Sequence, residues 1–243
     1  MRPAALFWLV AVPLAARAQE PIFVTPPVTM YQFGGVFGLD IERTGRTVAM
    51  TSEAALGVLP PWTVSLQGVA IDAPDSPFEL ARLHVGTRIR LVKVDRPREW
   101  LLLSVYGAVA LPAGDYAARI AESHGVPDLL IGVSGARMAR GGDAFADLSL
   151  ARVPTLTGNV LAGTFGLAGG WRPRPGGYGD LEGQLFGEAR LHYAEGGVLT
   201  LGLAPGLLVH SKNKVFKLGV LVPVLRRDAD ADPTVKVGVK FLL

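Results

Sequence analysis

The stretch TVKVGVKFLL, residues 234–243, decides the fold. Val235, Val237, Val239, Phe241 and Leu243 fall on one face of an extended chain, and Lys236, Gly238, Lys240 and Leu242 on the other. A period of two is the signature of a β-strand, because successive side chains point to opposite sides of the pleat. The run before it repeats the pattern, with Phe216, Leu218, Val220, Val222 and Val224 on one face and Lys217 and Gly219 opposite. Between the two lies Arg226-Arg227-Asp228-Ala229-Asp230-Ala231-Asp232-Pro233, a polar connection that reads as a loop.

The same alternation continues toward the N-terminus. Leu199, Leu201, Leu203, Leu207 and Val209 lie opposite Thr200, Gly202, Ala204 and Gly206. Glu182, Gln184, Glu188, Arg190 and His192 face away from Leu181, Leu185, Ala189, Leu191 and Tyr193, and only Phe186 breaks that pattern. Further up, Leu83, Val85, Ile89 and Leu91 oppose Arg82, His84, Arg88 and Arg90. Four cationic or titratable side chains on one strand face do not fit a dry core.

Reading the whole chain this way predicts strands over 29–42, 47–59, 62–72, 79–93, 99–111, 126–139, 143–153, 159–171, 180–194, 198–210, 214–225 and 234–243. That makes twelve, an even number, as a closed antiparallel barrel needs to bring its first and last strands together. The seventh has the weakest alternation, diluted by Asp147 and Arg152, and losing it would bring the count to ten. Most runs are long enough to cross a bilayer, which takes about 9 to 11 tilted residues, whereas soluble strands usually hold about five or six. The competing arrangement is a soluble lipid-binding barrel with its oily stripe turned inward. Alternation alone does not choose between them.

Composition favours the membrane. Apolar residues make up 49% of the chain, yet after residue 18 no uninterrupted apolar run reaches the roughly 20 residues of a spanning helix. Glycine, at 30 residues, is too frequent for a helical bundle, since each Gly in a helix costs about 1 kcal/mol relative to Ala. Residues 1–18 have the parts of a secretory signal: Arg2, the apolar run from Ala4 to Ala15, and Ala16-Arg17-Ala18 before Gln19. The expected organisation is a cleaved signal peptide over 1–18, a short Pro-rich periplasmic tail over 19–28, and a transmembrane barrel over 29–243. Removing Arg2 and Arg17 leaves cations and anions almost balanced, and there is no dense Lys/Arg block, so a nucleic-acid partner is not expected. Absence of cysteine rules out disulfide staples and thiolate metal sites.

In this topology Tyr31, Trp62, Trp100 and Trp171 all fall at strand ends on one rim, the periplasmic one, where amphipathic rings suit the bilayer interface. The longest loop, Pro112 to Gly125, and the loop at Asp228 go to the extracellular side. The interior then receives Arg82, His84, Arg88, Arg90, Glu182, Glu188, Arg190, Lys217, Lys236 and Lys240, with Glu53 as a further acid. Two outcomes are open: Glu and Arg pair across strands and plug the lumen, or a narrow, cation-lined conduit favours anions or polar aromatics.

Catalytic signals are poor. A barrel phospholipase places a serine two positions after its histidine, on the same strand face. Here His84, His124, His192 and His210 are followed at that spacing by Gly86, Val126, Ala194 and Lys212, and Ser211 beside His210 points the opposite way. Asp228, Asp230 and Asp232 lack the Gly and distal Glu of a calcium loop. Gly169-Gly170 and Gly176-Gly177 lack the strand-to-helix setting of a phosphate loop and mark kinks or turns. No catalytic residue, cofactor or metal is expected.

Leu203-Ala204-Pro205-Gly206-Leu207 followed by Lys217-Leu218-Gly219-Val220-Leu221-Val222-Pro223-Val224 resembles the closing hairpins of the outer-membrane β-barrel channel family assigned to a phenol-degradation (MetA) pathway. Leu83-His84-Val85-Gly86-Thr87-Arg88-Ile89-Arg90 and Tyr106-Gly107-Ala108-Val109-Ala110-Leu111-Pro112-Ala113-Gly114-Asp115 are similar too, so the likeness covers residues 46–243. The chain departs from the common barrel ending by closing on Leu243 in place of an aromatic, with Phe241 two places earlier on the same face. The resemblance implies a monomeric bacterial outer-membrane channel or transporter, inserted by the barrel-insertion machinery and surrounded by outer-membrane lipid. It would pass small solutes, aromatic or anionic ones among them, by diffusion and without a cofactor. The alternatives are a sealed structural or adhesion barrel and, less favoured, an outer-membrane lipid hydrolase.

Overall fold

A computed structural model describes residues 34–73, 76–97, 99–111, 127–139, 141–155, 158–173, 181–211, 214–227 and 232–242. The expected signal peptide, the Pro-rich tail, Tyr31, His124, Gly176-Gly177, Asp228, Asp230 and the loop from Pro112 to Gly125 lie outside the described residues.

Twelve strands follow one another: β1 (Gly35–Thr44), β2 (Thr47–Leu59), β3 (Trp62–Ala73), β4 (Ser76–Arg96), β5 (Glu99–Ala110), β6 (Leu129–Ala139), β7 (Gly142–Thr155), β8 (Gly158–Trp171), β9 (Glu182–Ala194), β10 (Val198–Ser211), β11 (Lys214–Arg227) and β12 (Thr234–Leu242). Each pairs with its sequence neighbours, and β1 pairs antiparallel with β12, from Val36 opposite Leu242 to Thr44 opposite Thr234. The sheet is thereby closed, with no helix among the described residues. Closure leaves no open sheet edge facing the hydrocarbon, where an unpaired N–H or C=O costs several kcal/mol.

The two faces of this sheet are inverted relative to a soluble barrel. On the outside Leu161 is 58% exposed, and Ile41, Leu66, Ile131, Leu150, Phe165 and Phe216 are exposed with it on strands all round the wall. On the inside Asp147 is 2% exposed, and Asp40, Glu42, His84, Arg190 and Lys240 are likewise buried. A contiguous apolar exterior around charged inward side chains is stable only where the surroundings are apolar. The oily stripes therefore point to lipid, and the barrel is a transmembrane one. Trp62, Trp100 and Trp171 stand exposed at strand ends on the rim where β1 begins and β12 closes, called here the terminal end.

The seventh strand is complete: Asp143, Phe145, Asp147 and Ser149 point inward while Leu148 and Leu150 point out. Its inward acids are what weakened the apolar signal. β4, expected over 79–93, runs to 21 residues, and its ladders carry three register shifts, the first at its start opposite Ile71 and Ala73. One register shift lies between Leu80 and Arg82, with Ala81 fully buried, and one between Arg90 and Val92. An extra residue flips the alternation, so Phe78 and Leu80 share the outer face with Leu91, and Val92 and Val94 continue it. A shift opposite Leu201/Gly202 does the same near the end of β11, which reaches Arg227 with Val224 and Leu225 both outside. β6 starts at Leu129 rather than Val126, since Asp128 donates its N–H to the Arg152 carbonyl outside the ladder. β1 continues two residues past its expected end to Thr44, where Gly45, at φ +58°, makes the turn into β2.

Leu148 lies near the middle of β7 and faces out. Leu148→Arg should destabilise the folded barrel by about 2–4 kcal/mol in reversible urea unfolding from lipid vesicles. A cost near zero would show that this face does not sit in hydrocarbon.

Candidate functional site

The inner wall is a belt of charged and aromatic side chains, and its geometry follows from strand register. Lys217 on β11 is opposite Gly238 on β12, which is opposite Asp40 on β1. Lys217 reaches over that glycine, placing Nζ 2.6 Å from Asp40 Oδ2. A second row runs Lys240 on β12, Gly38 on β1 and Glu53 on β2, with Lys240 Nζ 2.8 Å from Glu53 Oε2. Lys236 makes a direct cross-strand pair with Glu42, Nζ to Oε1 at 2.8 Å.

Aromatic and amide groups continue the belt. Tyr106 on β5 lies opposite Gly132 on β6 and donates its hydroxyl to Asp147 on β7, 2.9 Å from Oδ1 and 3.0 Å from Oδ2. The Arg88 guanidinium sits over the Tyr106 ring, 5.2 Å from its centroid, which is cation–π range. Nearer the terminal end Gln184 on β9 donates to Asp143 on β7 at 2.7 Å, passing Gly170 on β8. Arg172 binds Asp143 as well and holds Glu182, Nε to Oε1 at 2.7 Å. At the other level His192 Nδ1 lies 3.1 Å from Thr164 Oγ1.

The residues expected in the lumen are not equivalent. Arg88, Glu188 and Arg190 line its middle, and Lys217, Lys236 and Lys240 line the arc from β11 to β12. His84 is buried with Nε2 2.8 Å from the Pro127 carbonyl oxygen, so it ties the wall to the segment entering β6. Arg82 is half-buried on the same strand. Arg90 turns to the terminal rim, where Nη2 donates to the Pro60 carbonyl at 3.3 Å. Glu182 is at that rim too, held by Arg172. The side chain of His210 and all of His124 are outside what is described. Phe186, which broke the sequence pattern, faces inward against Leu208 and Val215, with its ring centroid 6.3 Å from that of Phe145.

The expected cationic lining needs correction. Asp40, Glu42, Asp143 and Asp147 also point inward, and Lys217, Lys236 and Lys240 each meet a carboxylate. Their signal was present in sequence: Asp40 and Glu42 alternate with Leu39 and Ile41, and Asp143 and Asp147 with Ala144, Ala146 and Leu148. Arg82 Nε and Arg190 Nε are buried with no hydrogen-bond partner among the described residues.

A recess of about 100 Å³ runs from β9 past β10 and β11 to Lys236 on β12 and Glu42 on β1, where charged Glu42, Glu188, Arg190, Lys217 and Lys236 meet apolar Phe186, Leu208 and Leu221. The β10–β11 ladder is interrupted beside it: Leu203 pairs with Val222 and Gly206 with Gly219, while Ala204 and Pro205 carry no partner on β11. Pro205 has no N–H to offer a neighbour. No group of three or more His, Cys, Asp or Glu among the described residues is placed to hold a metal.

No protein-family model matches the chain, and no curated protein sequence does. Among solved structures it is similar to an outer membrane channel from Pseudomonas putida F1, with a TM-score of 0.56 and 8% identity over 90% of this chain and 98% of that one. It is also similar to the KdgM porin, with a TM-score of 0.47 and 8% identity over 85% of this chain and 98% of that one. At such identity the likeness to the Pseudomonas putida F1 structure shows the fold alone, a closed antiparallel barrel.

Asp40 and Lys217 form a buried pair, with side chains 4% and 10% exposed. Asp40→Ala should cost about 3 kcal/mol of stability by taking away the carboxylate nearest the Lys217 ammonium. Removing both partners should cost distinctly less than the sum of Asp40→Ala and Lys217→Ala, which unfolding of the three variants and the wild type in detergent can check. Losses that add would mean the pair is not coupled.

Proposed function

We propose that this chain is a bacterial outer-membrane channel that passes small solutes by diffusion, aromatic or anionic ones among them. One observation carries the reading. The ion pairs named above join strands that are neighbours or two apart and so run along the wall, while Arg190 on β9 faces Glu42 on β1 across the recess. A plug built from ion pairs would link opposite sides of the barrel. Pairs that lie along the wall make a lining, and rings of charged side chains set selectivity in pores.

The solute class is inferred from the lining. Arg88 over Tyr106, and Arg190 with a buried N–H lacking a partner, offer positive charge and ring faces to the lumen. The recess beside β10 joins the Phe186 ring and Leu208 to two lysines, an arginine and two glutamates, which suits a small solute with an apolar body and a polar group. The resemblance of the β10–β11 region to the phenol-degradation-pathway channels points the same way. A monomer in outer-membrane lipid, exported through a cleaved signal peptide, is the form expected to act.

Purified full-length protein in planar bilayers should give discrete conductance steps with a reversal potential displaced toward anions under a salt gradient. Arg88→Glu should move that potential toward cations. Absence of steps would refute the channel, and an unmoved potential would remove Arg88 from the conduction path.

A further inference from the structure

We propose that lumen-facing glycines, Gly38 and Gly238 above all, set the aperture of this channel by acting as saddles over which charged side chains lie flat on the wall. The proposal rests on the channel reading and deepens it by naming residues that govern passage without touching the solute.

Strands are about 4.8 Å apart, so residues two strands apart on the inner face stand about 9.6 Å apart, within reach of a lysine and a carboxylate meeting each other. Any side chain on the middle strand, pointing inward at the same level, would stand in the way. At both lysine rows the middle position is glycine: Gly238 between Lys217 and Asp40, Gly38 between Lys240 and Glu53.

The contacts are close. A Cβ on Gly38 would stand 3.0, 3.1 and 3.3 Å from Lys240 Cγ, Cε and Cδ, so the whole lysine stem rests on the glycine. A Cβ on Gly238 would meet Asp40 Oδ1 and Lys217 Cε, and would come within 2.9 Å of Lys217 Cγ. Two further positions follow the same plan. A Cβ on Gly132 would enter the Tyr106 ring on its way to Asp147, and one on Gly170 would meet Gln184 on its way to Asp143.

Other glycines of the wall are different. A Cβ added to Gly169, Gly183 or Gly187 would meet nothing within 4 Å, so close approach is not a general property of glycine in this barrel. At Gly86, Gly142 and Gly202 the near atom is the Ser65 hydroxyl, the Gly170 carbonyl and the Leu221 side chain, whereas at Gly38, Gly132, Gly170 and Gly238 a polar bridge crosses the glycine. Adding a methyl group at a saddle forces the stem above it to lift toward the axis, where it takes up lumen cross-section and loses its carboxylate. The bulk of the lining, and the fraction of its charge that is neutralised, are both set by residues with no side chain.

The test uses full-length protein refolded into planar bilayers, with a heat-modifiable gel shift to confirm folding. Gly38→Ala should lower single-channel conductance about twofold, while Gly187→Ala, whose added methyl meets nothing, should leave it unchanged. In a Lys240→Ala background Gly38→Ala should have no effect, because no stem remains to lift. An equal fall in both backgrounds, or no fall in either, would overturn the saddle. Where Gly38→Ala does not fold, Glu53→Gln releases the same ammonium without backbone crowding and should also lower conductance.

A second readout does not depend on current. Lys240 is 4% exposed, and its labelling by a water-soluble amine reagent, followed by mass spectrometry, should be slow in wild type and faster in Gly38→Ala and Glu53→Gln. A silent wild type with accelerated labelling would sink the channel and its aperture but leave the flat lysine standing. A conducting wild type whose variants match it in both current and labelling would sink the saddle and leave the channel standing.

Discussion

Hydrogen bonding of the backbone in hydrocarbon governs this molecule. A strand that faces lipid has no water to satisfy its N–H and C=O groups, so each must find a partner on a neighbouring strand, and the sheet has to return to its own first strand. The nine pairs from Val36–Leu242 to Thr44–Thr234 accomplish that closure. Once the ladder is closed, period-two alternation leaves one choice per strand, outward or inward. Leu148 and Leu150 go to the lipid, and Asp147 and Ser149 go to the interior.

Placing that much charge inside creates a second constraint, since ionised groups out of bulk water need partners of their own. The barrel meets it laterally. Lys217 finds Asp40 and Lys240 finds Glu53 by crossing one strand at a glycine, and Lys236 finds Glu42 on the adjacent strand. Tyr106 and Gln184 reach Asp147 and Asp143 in the same manner. Much of the inward charge is thus neutralised along the wall.

Irregularities of the ladder are local. The bulges at Ala81 and Leu91 let β4 run to 21 residues while its oily face stays outside, as bulges commonly do at barrel rims. At Ala204-Pro205 the β10–β11 pairing lapses beside a recess lined by both charged and apolar groups.

Much of this was legible in the chain itself. Alternation in TVKVGVKFLL and its upstream counterparts determined strand type, an approximate boundary for every strand, and the separation of oily from charged faces, because side-chain direction in a strand depends only on residue parity. Parity breaks at a bulge, so the full extents of β4 and β11 were not readable. Parity puts Phe186 in the inward row, but the Leu208–Val215 patch it covers was not readable, because an aromatic in a polar row gives no sign of its partners on other strands. Which lysine meets which acid depends on register across three strands, and the closing pair joins residues about two hundred positions apart. Only the tertiary structure put Gly238 between Lys217 and Asp40, and Gly38 between Lys240 and Glu53, so only it decided that these cations are matched and lie against the wall.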